Sequence, residues 1–573
     1  MNKYLKIVNT LNTEQRKYFF VIVFFQAIKS LLEIISLGSI YPLIYFIFNG
    51  DVSFIDAYFN ININDKTSVI TFLLLFIIIV FFIKTIFFVF ITYKEHQYLV
   101  KITIEVQIKL FSSYLVQDYS FFLNKKNEEL INNIITEASY FSKNQIQPLY
   151  LLINESLKII LIFFVILIIN PFYTLISVLT FLPIIIVFIK KVRNELLKLG
   201  VLRKQNSEKM INFAFKGLNS IREILIFKNQ KFFSDQFKEY CQKLNKTVVK
   251  NNLLQVIPKI FFEFLVVLYI LLIFLISIKF TSTSTDETFV YLSFLSLSFV
   301  RLLPSVNSLV KSIQDLSYFG NVTEMIRKSK ALNKIINFER KSRNKRIFNF
   351  KKIEVKNVKY DFNGKIIFDD TSLEIRNNLI YGVTGESGSG KTTFFNLLIG
   401  FLRPTKGQIS IDGKKLNSIK SEWQNDLCYI PQDLYLFDDT IEKNITLGSD
   451  KISDIKKLNK SINISRLSEL ISKYSKKVKH KIKNSGIDIS GGQRQRIGIA
   501  RSLYIDRNTI FLDETTNALD VKTEEIILRG LRKEFQNKTV FIISHSKDLH
   551  KYVDKIINIK NNKIKIIDTN ARH

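Results

Sequence analysis

Cysteine is almost missing from this chain: Cys241 and Cys428 are the two in 573 residues. They lie far apart and neither belongs to a C-x-x-C pair, so a disulfide framework and a thiolate metal site are both excluded. Proline and glycine are scarce, at 8 and 19, against abundant Ile, Lys, Asn and Phe, a balance that reflects a biased genome as much as function. Acidic residues are deficient, 50 Asp and Glu against 82 Lys and Arg, leaving a formal charge of +32. In their place stands hydrocarbon: 47% hydrophobic residues, 51 Phe and a mean hydropathy of +0.13. Those values exclude a disordered or purely soluble chain. The length exceeds what one hydrophobic core fills, so at least two domains are expected.

Apolar runs of about 20 residues, enough to cross a ~30 Å hydrocarbon layer, occur near 18–48, 69–92, 149–169, 172–190, 256–279 and 288–311. The segments between them alternate in charge. Residues 93–148 and 191–255 are long and Lys-rich, whereas 49–68 carries only Lys66 and 280–287 carries no basic residue. Basic loops stay inside, so both termini and the two Lys-rich loops are expected in the cytoplasm. The first apolar run has no small-residue cleavage site after it and reads as a retained anchor. Apolar positions at helical spacing, such as Tyr98, Leu99, Ile102, Val106 and Leu110, extend the membrane helices into the cytosol as long arms.

After Arg340 the texture changes to short alternating strands, Gly-rich turns and helices. The expected organisation is therefore an all-α six-helix transmembrane domain, residues 1–340, followed by an α/β P-loop domain, residues 341–573. The basic segment Glu339 to Arg346 joins them. The positive-inside loops and the basic surface of the second domain explain the lysines, and no recognition motif supports nucleic-acid binding.

Gly385-Glu386-Ser387-Gly388-Ser389-Gly390-Lys391-Thr392 follows an apolar strand and precedes a helical pattern that starts at Thr393. Glycines let the backbone wrap phosphates with its N–H groups turned inward, Lys391 reaches the outer phosphates and Thr392 supplies a Mg²⁺ ligand. Thr509 to Leu512 is an apolar strand ending in Asp513 and Glu514. Asp513 suits the Mg²⁺ shell, and Glu514 suits a general base for the attacking water.

Between them, Ile489-Ser490-Gly491-Gly492-Gln493 resembles the signature of the ATP-binding cassette family. The resemblance extends over the second domain: Phe362 at the aromatic position that stacks on adenine, Gln432 in the Q-loop, Asn517-Ala518-Leu519-Asp520 in the D-loop and His545 in the H-loop. It implies ATP and Mg²⁺ as ligands, with Thr392, Gln432 and Asp513 around the metal. It also implies that Glu514, His545 and Gln432 act in hydrolysis, and that Ser490 to Gln493 contact the nucleotide of a partner's cassette. One cassette and six spans are half of such a transporter, so a homodimer is implied. His480 to Gly486, with Asn484 where the family has glutamate, departs from the usual X-loop.

Charges inside spans are functional candidates. Lys29 and Glu33, four apart on one face, are expected to pair with each other. Lys84, about 22 Å from the outer end of its span, and Arg301, about 20 Å from its own, fall in the inner half of the bilayer, and Lys259 at a similar or shallower depth. Together they could ring an inward cavity suited to a lipid phosphate or pyrophosphate. Snorkelling to the headgroups is the plain alternative, and Glu263, one turn beyond, can neutralise Lys259.

Arg301 to Asn307, Leu316-Ser317-Tyr318, Ile257 to Ile260 and Phe262-Glu263 resemble the bacterial flippases for lipid-linked oligosaccharides. The resemblance implies ATP-driven movement of a polyprenyl-pyrophosphate-linked glycan across the bacterial cytoplasmic membrane. Exporters of lipid A type lipids, peptides or drugs share the architecture, and an ATP-gated channel or regulatory subunit is the alternative from another class. The outer segment Asn49 to Ser68 is short for the external helix of such flippases, with Val52 to Phe59 offering two turns at most.

Overall fold

The computed structural model describes residues 2–49, 66–169, 171–280, 285–332, 350–362, 364–448, 454–483, 489–546 and 548–568. Outside them lie most of the outer segment 49–68 including Val52 to Phe59, part of 280–287, the linker from Glu339 to Arg346, and Asn484. The chain forms two compact units: Met1–Gln117 with Phe121–Asn337, and Asp118–Ser120 with Phe338–His573.

The first unit is helical. Its main helices are α1 (Thr13–Gly38), α2 (Lys66–Leu115), α3 (Gln147–Ile169), α4 (Pro171–Asn219), α5 (Gln230–Phe280) and α6 (Thr285–Tyr318). Helices α2, α4 and α5 have 50, 49 and 51 residues. At 1.5 Å per residue each is about 75 Å long, more than twice the hydrocarbon thickness, so the long arms are continuous with the apolar segments. Among the described residues five helical stretches are long and apolar enough to cross a membrane. They carry the first, second, third, fifth and sixth expected spans, and 172–190 opens α4.

The first span differs from the expected single run. Helix α1 stops at Gly38, and a second helix, Tyr41–Asn49, follows. Ser36, Gly38 and Ser39 are poor helix formers, and Pro42 is tolerated only in the first turn of a new helix. Before α3 the chain runs through two π-helical turns, Asn133–Glu137 and Ser142–Ile146. The wider turn places Glu137, fully buried, against Arg203 of α4, with two hydrogen bonds of 3.1 and 3.0 Å. Tyr140 and Phe319 flank the guanidinium at 4.6 and 4.8 Å. The two terminal nitrogens of the guanidinium are thus matched by the carboxylate, as burial of two charges requires, while Arg203 Nε is buried without a hydrogen-bond partner.

The second unit holds two sheets. An antiparallel sheet runs in the order β2-β1-β4-β5, with β1 at Lys352–Phe362, β2 at Lys365–Arg376, β4 at Lys406–Ile411 and β5 at Lys414–Lys415. The other runs β10-β9-β3-β8-β7-β6. In it β3 (Ile380–Gly385), β6 (Leu427–Ile430), β7 (Thr509–Asp513), β8 (Thr539–Ile543) and β9 (Lys555–Lys560) pair in parallel, and β10 (Lys563–Asp568) closes the edge antiparallel. Strands β7 and β8 are buried at every position, which is why they read as unbroken apolar runs. Phe511 and Phe541 stack at 4.6 Å, and Phe395 meets Phe511 edge-on at 5.1 Å. That aromatic layer pins helix α7 (Lys391–Ile399) to the sheet and so fixes the loop that precedes it.

Candidate nucleotide site and intramembrane charges

The glycine loop leaves the carboxyl end of β3, the side on which parallel sheets bind ligands. Gly390 has φ +101°, and a Cβ there would lie 2.7 Å from Ile367, so no other residue fits that position. The loop ends at the N-terminus of α7, whose free N–H groups favour an anion. Lys391 is buried and turns its ammonium onto the carbonyls of Gly385 and Glu386, at 3.0 and 3.2 Å. Ser389 Oγ is buried with no hydrogen-bond partner. A triphosphate would satisfy both groups, so the residues fit the ligand. Ser387 and Gly388 form the exposed rim of the loop, and Thr393 follows Thr392 in the first turn of α7.

Across the loop, Thr392 Oγ1 lies 3.4 Å from Asp513 Oδ1, and the Tyr429 hydroxyl lies 3.3 Å from Asp513 Oδ2. Burial pushes the Asp513 carboxyl above its usual value, and the neighbouring Glu514 adds to this, against the hydrogen bond from Thr392. A divalent cation between Thr392 and Asp513 would reverse that penalty, so this pair fits Mg²⁺.

Glu514 leaves β7 with φ +53°, a conformation that few residues other than glycine adopt, held by its N–H on the Ile543 carbonyl at 3.0 Å. Three groups converge on its side chain. Gln432 and Asn517 donate to Oε2 at 2.7 and 2.8 Å, and His545 Nε2 lies 3.2 Å from Oε1. Gln495 ties the same turn down through the Glu514 carbonyl at 3.1 Å and the Ala518 N–H at 2.8 Å. The Q-loop, D-loop and H-loop positions named from sequence thus meet at one carboxylate. Asn517 is named in the D-loop from sequence, without a role of its own; Gln495, two residues beyond Gln493, is not among the residues the sequence points to.

Phe362 ends β1 and is 44% exposed, open to stacking. Ser490 caps helix α8 (Gly491–Ile505), accepting from the Gln493 N–H at 3.3 Å while Gln493 answers its own N–H at 3.0 Å. Gly492 is forced: a Cβ would meet the Ala518 carbonyl at 2.8 Å. Asp520 caps α9 (Val521–Glu534) through the Thr523 N–H at 3.0 Å.

In the helical unit the expected Lys29–Glu33 pair is corrected. Glu33 pairs with Lys158 of α3 at 2.9 Å, and Lys158 also holds Glu155 at 3.1 Å. Lys29 instead sits 4.8 Å from the Phe88 ring. Lys158 and Glu155 were missed, although two charges three apart inside an apolar run carry the same signal as Lys84. Lys84 is buried, donates to Ser36 Oγ at 3.0 Å, and feels the fields of Glu33, Arg301 and Lys158. Lys84 and Arg301 are therefore brought together, with Lys158 added. Lys259 is not in that group: its side chain is 58% exposed, lies 3.9 Å from Glu263, and faces a cavity farther along the unit.

Two family models match parts of the chain. The ABC transporter model matches residues 368–517, and the ABC transporter transmembrane region model matches residues 37–302. A solved structure of a bacterial Atm1-family ABC exporter with ATP bound superposes with a TM-score of 0.78, over 98% of this chain and 96% of that one, at 16% identity, a likeness of fold. The chain joins an ABC transporter transmembrane region and an ABC transporter cassette on one polypeptide and so belongs to the ABC transporters. An export ATP-binding/permease protein of Rickettsia prowazekii is 34% identical over 34% of each chain, so the match spans about a third of that relative's length. An ATP-dependent lipid A-core flippase of Wigglesworthia glossinidia brevipalpis is 27% identical over 81% of this chain and 80% of its own. The alpha-hemolysin translocation ATP-binding protein HlyB of Escherichia coli is 35% identical over 36% of this chain and 30% of its own.

Proposed function

We propose that two copies of this chain form an ATP-driven flippase in the bacterial cytoplasmic membrane, with termini and cassettes in the cytoplasm. Its cargo is an amphipathic anionic lipid, a polyprenyl-pyrophosphate-linked oligosaccharide, moved from the inner to the outer leaflet. In each cassette Glu514 takes a proton from the water that attacks the terminal phosphorus. Gln432, Asn517 and His545 hold that carboxylate in one orientation, so no reorganisation is needed when charge develops. Mg²⁺, held by Thr392 and Asp513 with Gln432 at its edge, would neutralise the phosphate oxygens. Phe362 stacks on the base, and Ser490, Gly491, Gly492, Gln493 and Asp520 act across the dimer.

A dimer is favoured by the apolar tip that the helical unit leaves bare. Leu218, Ile226 and Phe227, at the turn between α4 and α5, are each at least 70% exposed, and such a patch calls for a partner surface. The cargo reading is carried by one observation: Lys84 and Arg301 add two cations to a cluster whose third, Lys158, already has two carboxylates. Uncompensated positive charge inside a span suits a phosphate-bearing headgroup.

The test is reconstitution in liposomes with ATP and an undecaprenyl-pyrophosphate-linked glycan. Arg301→Ala is expected to reduce flipping ~10-fold, a larger loss than in ATP hydrolysis; equal loss of both, or of neither, contradicts the headgroup role. The lipid A-core flippase relative favours a second reading, in which a lipid A type lipid is the cargo. Flipping of that lipid, and not of the polyprenyl substrate, would select it.

A further inference from the structure

The helical unit contains a cavity of about 830 Å³ between the start of α3, α4, the middle of α5 and the last turns of α6. Its lining differs from the charge cluster. Carboxamides dominate: Asn144, Gln147, Asn251, Asn252, Gln255 and Asn307. Asn251 is 6% exposed, and its Oδ1 has no hydrogen-bond partner; Asn307 Oδ1 is likewise buried and unpartnered. A buried amide oxygen left unpaired costs about 1–3 kcal/mol, so these atoms point to a hydrogen-bond donor that the protein itself does not supply. Lys143, Lys259 and Lys311 also line the cavity; the one carboxylate of the lining is Asp315, which Gln255 holds at 2.9 Å, and Glu263 lies 3.9 Å from Lys259 outside it. Arg203 is on the wall too, but Glu137 already matches its charge.

Each carboxamide offers two donors and an acceptor, a pattern that pairs with vicinal hydroxyls. Lysines among amides add attraction for an anion without fixed geometry. Position along α6 agrees. Asn307, Ser308, Lys311 and Asp315 follow Arg301 by 6 to 14 residues, about 9–21 Å toward the cytosol at 1.5 Å per residue. A headgroup whose phosphates sat at Arg301 would extend its sugars into this cavity.

We infer that this amide-lined cavity is a binding site for the sugar portion of an anionic glycoconjugate, with Asn251 and Asn307 as hydroxyl-reading residues and Lys259 and Lys311 as counter-charges. The inference rests on the proposed cargo for its biological meaning, yet it can be tested apart from it.

Full-length protein in phosphatidylcholine nanodiscs is titrated by equilibrium dialysis with two water-soluble probes, chitobiose 1-phosphate and inorganic phosphate. The wild type is expected to bind the sugar phosphate ~10-fold more tightly, the effect of one or two hydrogen bonds. Asn251→Leu and Asn307→Leu should each bring that ratio toward one while affinity for inorganic phosphate stays the same, which also shows that the variants fold. Equal affinities in the wild type, or a ratio that survives both substitutions, overturns the inference. Sugar-phosphate discrimination without flipping of any lipid-linked glycan keeps this site and removes the flippase reading. Flipping without discrimination does the reverse.

Discussion

The two halves of this molecule handle charge in opposite ways. In the cassette, charged and polar groups are spent on one point: Gln432, Asn517 and His545 all serve Glu514. In the helical unit they are dispersed, with Glu33, Glu155 and Lys158 closed on one another and Lys84 and Arg301 beside them. The cassette's ligand is always the same triphosphate, so its site can be preorganised to fractions of an ångström. A membrane pathway must release what it binds, so loosely held cations on separate helices suit it better. The apolar walls differ as well: β7 and β8 are wholly buried, while α2 exposes Ile78, Phe82 and Val89, side chains that lipid would cover.

The comparison breaks first if the cassette's focus is not on Glu514. Glu514→Gln should lower ATP hydrolysis ~10²–10³-fold, the span of a lost general base, while ATP binding persists. A rate loss below tenfold in a phosphate-release assay would move the base elsewhere. The membrane half is broken most directly at Lys158. Lys158→Ala strands Glu33 and Glu155 away from water, and removing one partner of a buried ion pair costs about 3–5 kcal/mol. A large fall in the thermal midpoint of detergent-solubilised protein is expected, recovered when Glu33 and Glu155 are also changed to Gln.

A smaller effect sharpens the cassette side. Phe362→Ala should raise the KM for ATP about fivefold at similar kcat, because stacking binds ground and transition states alike, and Phe362→Tyr should restore it. The smallest concerns pH. Burial raises the Asp426 carboxyl from 3.8 to about 6, against the pull of Arg507. The fold therefore holds a proton that the unfolded chain has lost. The stability it brings is present below pH 4 and disappears as pH rises through about 6. Asp426→Asn should flatten the melting temperature across that window and raise it at pH 7 by ~2 °C; an unchanged pH profile contradicts the assignment.

How much of this was legible beforehand also divides along the same line. The glycine loop, Asp513-Glu514 and the signature have fixed spacing because backbone geometry around phosphates admits few residues, as Gly390 illustrates. In the helical unit, hydropathy located the first, second, third, fifth and sixth apolar stretches, and helical spacing carried α2 and α5 well past theirs. Partnership was not legible there. A 3.6-residue period tells which face Glu33 occupies but not which helix meets it, so it offers Lys29 as the partner and is silent on Lys158. The break at Ser39 went unread inside a long apolar run. The cavity amides sit at ordinary arm positions, and only packing shows Asn251 to be buried.

The central claim is that hydrolysis at Glu514 drives an anionic lipid headgroup across the bilayer. It is tested most directly by measuring transbilayer movement of an undecaprenyl-pyrophosphate-linked glycan in liposomes, for wild type and Glu514→Gln side by side. The account predicts ATP-dependent movement with the wild type and none above the protein-free background with the variant. Equal movement by both, or movement without ATP, would contradict it.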